Sequence, residues 1–503
     1  MPEPPKPAFV PKITFSQETT WATEPLGPNG GVDYVTFFNR RAARGVTSEN
    51  NAVVILSRVL GPAPGGGRGL PDRYYDLLEI ARVPMEGPYF EDFWKWWELK
   101  EKKLPPGGEK DFWGWEEQAN ARPWTAKEFP DLAEWLTDME APLRVAAEAS
   151  KRSEFFSPSP EDADTPLCQE MLPVQSKTRS LCRVLVTRAM LRLGEEDRFA
   201  AWDDLLVAHR LARLIGRGPF GMDGLIGYGT EREAIIGELQ LISATQPSSK
   251  FTKRYLKQLG QLPPLSPIID KIDNFERAMY LDVCQQLARG RLDKDDFGDE
   301  RDVAWIAKFF EGAVNRQVDW DSVLRSGNRR FDLLVAAARL PTYREREAML
   351  RPLDEEHAVL AERHKQAAEL FTSLKGRADL TALTSDVLWY VWMKGIREVH
   401  RHETRCQQWF RNLEVALALS AWRGDRDSYP ESLADLTPQY LPTVPHDFFT
   451  DQPLCYERTT DGYRFYSLGF NGTDDQGRGY DDTPKGDDLA VRIPKQQPMP
   501  KPE

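Results

Sequence analysis

Only five cysteines occur in this chain, Cys168, Cys182, Cys284, Cys406 and Cys455. They are odd in number, widely spaced and without a C-x-x-C pair, so neither a disulfide framework nor a zinc knuckle is encoded, and buried free thiols are expected. Long apolar runs are missing as well: nothing approaches the roughly 18 residues of a membrane-spanning helix. The opening MPEPPKPAFVPK lacks a basic start followed by an apolar core, which predicts a proline-rich lead rather than a signal peptide or anchor, and a cytoplasmic setting if that is the native start. Basic charge is in the minority, with 66 Lys and Arg against 78 Asp and Glu. A formal net charge of -12 opposes the basic face with which nucleic-acid binders engage phosphates, so nucleic acid is not an expected partner. No G-x-S-x-G occurs, and the six histidines form no Ser/His or Cys/His pair at a recognisable nucleophilic spacing.

What is present is helical. At 503 residues the chain exceeds what one hydrophobic core normally serves. The pattern predicts a mainly α protein built of helical hairpins, resembling tetratricopeptide repeats in shape only, followed by a small C-terminal α+β module of three antiparallel strands on a long helix. The expected divisions are a proline-rich lead over 1–31, a Trp-rich helical region over 32–150, a helical-hairpin body over 151–380 and the C-terminal module over 385–503. Gly31 to Leu60 predicts two short helices, the second capped by Thr47 or Ser48 and ended by Gly61. The loop PAPGGGRGLP lacks the lysine of a phosphate-binding P-loop. Between Phe90 and Trp135 dense aromatics could stack on sugars or a partner, but their near-helical spacing favours a helical core. From Leu181 to Ile242 helix follows helix. GRGPFG, at 216–221, matches G-x-G-x-x-G literally but follows a helix instead of a strand, so it predicts an inter-helix loop.

Several polar constellations fail as sites on chemical grounds. DKDDFGDERD places Phe297 and Ala304 where an EF-hand needs oxygen ligands, and predicts a solvated loop. His402 and Cys406 stand at i and i+4 on the long helix from about Ser385 to Trp422, but no third ligand is recognisable and Arg401 and Arg405 repel a cation. Asp203, Asp204 and His209 are candidates for a metal-dependent hydrolase, yet are better explained as the polar face of an amphipathic helix.

The tail is the most informative stretch. Asp474, Asp475, Asp481, Asp482, Asp487 and Asp488 crowd a glycine-rich loop, where their oxygens can converge on a hard cation or make solvated Asx turns. Asp461-Gly462 is a two-residue hairpin signal between Leu454–Tyr456 and Tyr463–Tyr466, and Leu489–Ile493 supplies a third strand to pack on Leu413, Ala416 and Leu417 of the long helix.

A helix, SYPESLADL, a PHD segment, paired strands, SLGFNG and GDDLAVRIP follow one another in an order similar to the C-terminal globular domain of the major pseudopilins of type II secretion systems. The likeness covers roughly the last ninety residues, and overall the chain resembles large bacterial proteins that carry such a tail on a helical body. The resemblance implies a calcium site at Leu468, Asn471, Asp487 and Asp488, with Ser467, Asp474 and Asp475 as nearby candidates. Two departures matter: Asn471 stands where the family has an aspartate, and Tyr480, Asp481 and Asp482 lengthen the loop, both of which predict weaker calcium binding. The preceding helix carries Arg397, His400, Arg401, His402, Arg405 and Arg411 and so cannot polymerise in a membrane. The implied function is a non-enzymatic scaffold with a protein partner, in or near the cell envelope, with a calcium-stabilised C-terminal module; the alternative is a metal-dependent hydrolase using the acidic cluster.

Overall fold

The computed structural model describes residues 12–292 and 317–494, apart from positions 29, 68, 164, 170, 171, 374 and 375. The acidic stretch DKDDFGDERD lies outside the described residues. Among these, sixteen helices and one small sheet build the mainly α fold with a C-terminal β element that the periodicity predicts.

Seven short helices come first: α1 (Tyr34–Ala42), α2 (Ala52–Leu60), α3 (Asp72–Leu78), α4 (Phe93–Leu99), α5 (Glu109–Ala121), α6 (Pro130–Asp138) and α7 (Glu140–Ala149). The cap of α2 is Asn51, not Thr47 or Ser48, because the Asn51 side chain accepts from Val53 N. Gly61 ends this helix at φ +72°, a conformation costly for a residue with a Cβ. In the Trp-rich region the core expectation holds. Phe93, Trp96, Trp97, Phe112, Trp124 and Trp135 are buried, with Phe93 stacked on Phe112 at 4.7 Å. Trp113 remains 49% exposed.

The body follows as α8 (Pro173–Gly194), α9 (Arg198–Ile215), α10 (Gly221–Thr245), α11 (Ser249–Leu259), α12 (Ile268–Lys271), a π-helical segment (Ile272–Glu276), α13 (Arg277–Ala288), α14 (Trp320–Ala338), α15 (Tyr343–Ser373) and α16 (Arg377–Arg426). Proline opens α8 where its missing N–H is harmless, and the Asp197 side chain caps α9 by accepting from Ala200 N at 3.1 Å. Packed against α8, α9 and α16, α10 is buried on most of its circumference. A Cβ on Gly227 would lie 2.9 Å from Ala212 O, so glycine allows α9 and α10 to approach backbone to backbone. GRGPFG is the loop between these helices, as expected, with Asp223 accepting from Phe220 N at 2.9 Å.

Among the described residues two large hydrophobic cores result, with a small third cluster of Tyr343, Phe449 and Leu489. One gathers α2 to α11 with the C-terminal module; the other gathers residues around Val32–Phe38 with α12 to α15. The 50-residue α16 serves both. Its Leu380, Trp389 and Cys406 belong to the second core, and its Leu413, Ala416 and Leu417 to the first. A helix of that length runs about 75 Å.

The sheet comprises β1 (Cys455–Arg458), β2 (Tyr463–Ser467) and β3 (Leu489–Ile493), antiparallel in the order β1-β2-β3. Phe465 pairs with Tyr456 on one side and Val491 on the other. Tyr463, Phe465, Val491 and Ile493 are buried in the same core as Leu413, Ala416 and Leu417, which is the predicted packing. At the hairpin, a Cβ on Gly462 would lie 1.7 Å from Ile493 O, so only glycine fits.

Candidate metal centre

The loop from Leu468 to Asp488 leaves β2 and returns to β3, and its two ends are tied together by backbone hydrogen bonds to carboxylates. Leu468 N donates to Asp447 Oδ2 at 2.7 Å, while the other oxygen of Asp447 accepts from Phe449 N at 2.8 Å. Gly469 sits at φ +65°, and a Cβ there would lie 2.3 Å from Asp487 O, so its lack of a side chain lets the loop's entry and exit touch. Asn471 N donates to Asp487 Oδ2 at 2.9 Å, Asp487 N to Asp475 Oδ2 at 3.1 Å, and Gly477 N to Asp488 Oδ2 at 2.7 Å.

Asp475, Asp487 and Asp488 each bring one ligand oxygen within 4.8 Å of the others. The Oδ1 atoms of Asp487 and Asp488 are buried without a hydrogen-bond partner. Buried polar oxygens are normally satisfied, and a carboxylate acceptor can be satisfied by a cation as well as by a donor. Asp488 is 2% exposed. Burial, with repulsion from Asp475, Asp474 and Asp487, pushes its carboxyl up to about 6. Asp475 is held below the ordinary carboxylate range, first by the hydrogen bond from Asp487 N. Three hard oxygens carrying up to three negative charges fit a divalent cation such as calcium.

The sequence candidates divide at this point. Asp475, Asp487 and Asp488 converge, and Asn471 borders them, its Nδ2 donating to Asp475 Oδ2 at 3.3 Å. Asp474 does not join them. Its Oδ1 accepts from Tyr466 OH at 3.0 Å and from Gln476 N at 2.7 Å, because the turn at Gln476, φ +61°, directs it to the sheet. Ser467 is buried and its Oγ accepts from Gly469 N at 3.3 Å, and Leu468 gives its N–H to Asp447. Of the inserted residues, Asp482 forms an ion pair with Arg492 at 2.6 Å and accepts from Gly479 N, making it a strut.

Asp447 is the residue that sequence reasoning passed over, although the PHD segment carries it. At 1% exposure it receives backbone donors from both its own turn and the β2 exit. Asp447→Ala is therefore expected to lose about 1–3 kcal/mol of stability for the donors left unsatisfied, measured by urea unfolding. A loss within experimental error would remove Asp447 as the organiser of the loop.

The other polar constellations resolve differently. Cys406 is buried with its thiol pushed up by burial, while His402 is exposed, so they form no ligand pair. Asp203, Asp204 and His209 share no site either: Asp203 is exposed, as a polar helix face requires, whereas Asp204 and His209 are buried, which corrects that expectation for these two. Asp204 is buried against Arg188 at 2.6 Å and Arg192 at 2.7 Å, and His209 is sealed between Glu231 at 3.0 Å and Glu238 at 3.1 Å. The charges that make burial of this face tolerable lie on α8 and α10. Among the described residues, no other group of three or more His, Cys, Asp or Glu ligand atoms gathers as closely as that of Asp475, Asp487 and Asp488. Comparison with protein-family models, with curated proteins and with solved structures finds no significant match to this chain.

Proposed function

We propose that this chain is a non-enzymatic scaffold that binds a protein partner, and that its C-terminal module is stabilised by a calcium ion held by Asp475, Asp487 and Asp488 beside Asn471. The observation carrying this reading is that Asp487 and Asp488, each with a buried Oδ1 that has no hydrogen-bond partner, bring a ligand oxygen together with one of Asp475. The ion supplies positive charge that relieves the mutual repulsion of the carboxylates and draws the loop ends together. The module shares a hydrophobic core with α8 to α11 and α16, so fixing its loop stiffens one end of the helical body. Such a site suits calcium-rich surroundings at or outside the cell envelope, and the similarity of the tail to major pseudopilins points the same way.

Thermal unfolding in chelator and in millimolar calcium tests this. A ligand bound only by the folded state raises stability by about 2.7 kcal/mol at a hundredfold excess over Kd. Calcium is expected to raise the midpoint of the parent chain and leave Asp487→Ala/Asp488→Ala unmoved. Equal midpoints for the parent in both buffers would sink the calcium reading, and an equal rise in the double variant would place the ion elsewhere.

A further inference from the structure

A cleft of about 620 Å³ lies where the C-terminal module meets the helical body. Its walls are Arg232, Ile236 and Leu239 of α10, Arg405 and Trp409 of α16, and β3, with residues 479–482 at one end. β3 is an edge of the sheet, so among the described residues one side of it has no strand partner. The volume falls within the 300–1,000 Å³ typical of small-molecule sites.

The chemistry of the walls is asymmetric. Neither Arg232 nor Arg405 makes an ion pair or hydrogen bond among the described residues. Arg405 Nε and Trp409 Nε1 are both buried without an acceptor. Two donors unsatisfied in one cleft call for acceptor oxygens, since buried polar groups are nearly always paired. The acidic residues nearby do not meet that need. Asp482 is taken by Arg492, Asp488 belongs to the loop cluster, and Glu117 and Asp481 are exposed. Burial and the proximity of Arg232 both disfavour the charge on Arg405, while Asp481 and Asp487 ease it. Beside Arg232 on α10, the half-buried Ile236 and Leu239 give the cleft its apolar lining.

We propose that this cleft binds a small amphiphilic oxyanion, a carboxylate or phosphate ester on an apolar body, with Arg405 and Arg232 taking the charge and the Trp409 indole N–H a further oxygen. Guanidinium groups match such oxyanions in charge and geometry, and an oxyanion between the two cations relieves their repulsion. The apolar body lies against Ile236 and Leu239 of α10, which distinguishes this ligand from inorganic phosphate.

Isothermal titration of the full chain with hexyl phosphate and with octanoate tests the proposal, in chelator so that no calcium bridges ligand and loop. Saturable binding of at least one amphiphile at a single site is expected, with inorganic phosphate and 1-hexanol each weaker; the tighter amphiphile identifies the headgroup. Arg405→Met, which keeps an apolar stem, is expected to weaken binding by at least about tenfold, and Trp409→Phe by about fivefold. Arg232→Met alters an exposed side chain and keeps the test valid should Arg405→Met fail to fold; it is also expected to weaken binding. No saturable binding, undiminished binding by the folded arginine variants, or inorganic phosphate binding as tightly as the amphiphiles would overturn the proposal.

Discussion

Glu231→Gln is expected to destabilise the protein by about 3–5 kcal/mol, the range for removing one partner of a buried ion pair. Glu231 and Glu238 on α10 enclose His209 of α9, and all three side chains are fully buried. Arg213 adds a second cation, 2.8 Å from Glu231, donates to Pro263 O at 2.5 Å and lies 4.5 Å from the Phe410 ring centroid. Tyr255 OH donates to Glu238. With His209 protonated the group is neutral, two cations against two anions. The His209 ring nitrogens are close to both carboxylates but poorly aligned for directed hydrogen bonds, so the attraction is chiefly ionic.

The network also predicts how stability follows pH. Burial alone would raise the Glu231 carboxyl, but His209 and then Arg213 outweigh it and hold it at about 2, against an ordinary 4.5. Its contribution is present above pH 4.5 and lost as pH falls toward 2. Burial alone would lower His209 from 6.5, but Glu231 and Glu238 raise it to about 10. That contribution is full below pH 6.5 and fades as pH rises through 10. The network therefore stabilises most between pH 4.5 and 6.5. Urea unfolding of the parent and Glu231→Gln across this range should show the largest gap inside the window and a shrinking gap toward pH 2. A variant as stable as the parent at pH 5.5 would contradict the buried network.

Phe112→Ala is the second large effect, expected at about 3–5 kcal/mol for an aromatic side chain deleted from a packed core. Phe112 is fully buried. Besides its stacking on Phe93, it meets Trp94 and Trp97 edge-on at 5.2 Å and Trp113 at 5.1 Å. Deleting the ring leaves a cavity ringed by indoles, so tryptophan fluorescence reports the unfolding directly. A loss below about 1 kcal/mol, typical of surface substitutions, would mean that these aromatics are not packed as a core.

Helix content was legible because apolar residues at three- and four-residue spacing require a helix to bury them together, and Asp461-Gly462 announced the hairpin, although the connection runs over 459–462 and neither residue takes a positive φ. The acidic loop was legible as a cluster for a similar local reason: aspartate and glycine recur within a short stretch. Which of its carboxylates converge was not. Asp475 and Asp488 are thirteen positions apart, and their approach depends on pairing of β2 with β3, on Gly469 and on Asp447 from outside the loop.

The buried charges show the same division. From sequence, Asp204 and His209 read as the wet face of α9, since a periodicity argument sees only one helix. Their partners lie on α8 and α10, and only packing those helices together reveals that the charges are compensated and dry. Sequence by itself determined the helical class, the hairpin and the composition of the acidic loop, all governed by neighbours within a few residues. Tertiary structure decided that α16 joins two cores, which carboxylates converge and which charges are sealed, because each depends on groups brought together from distant parts of the chain.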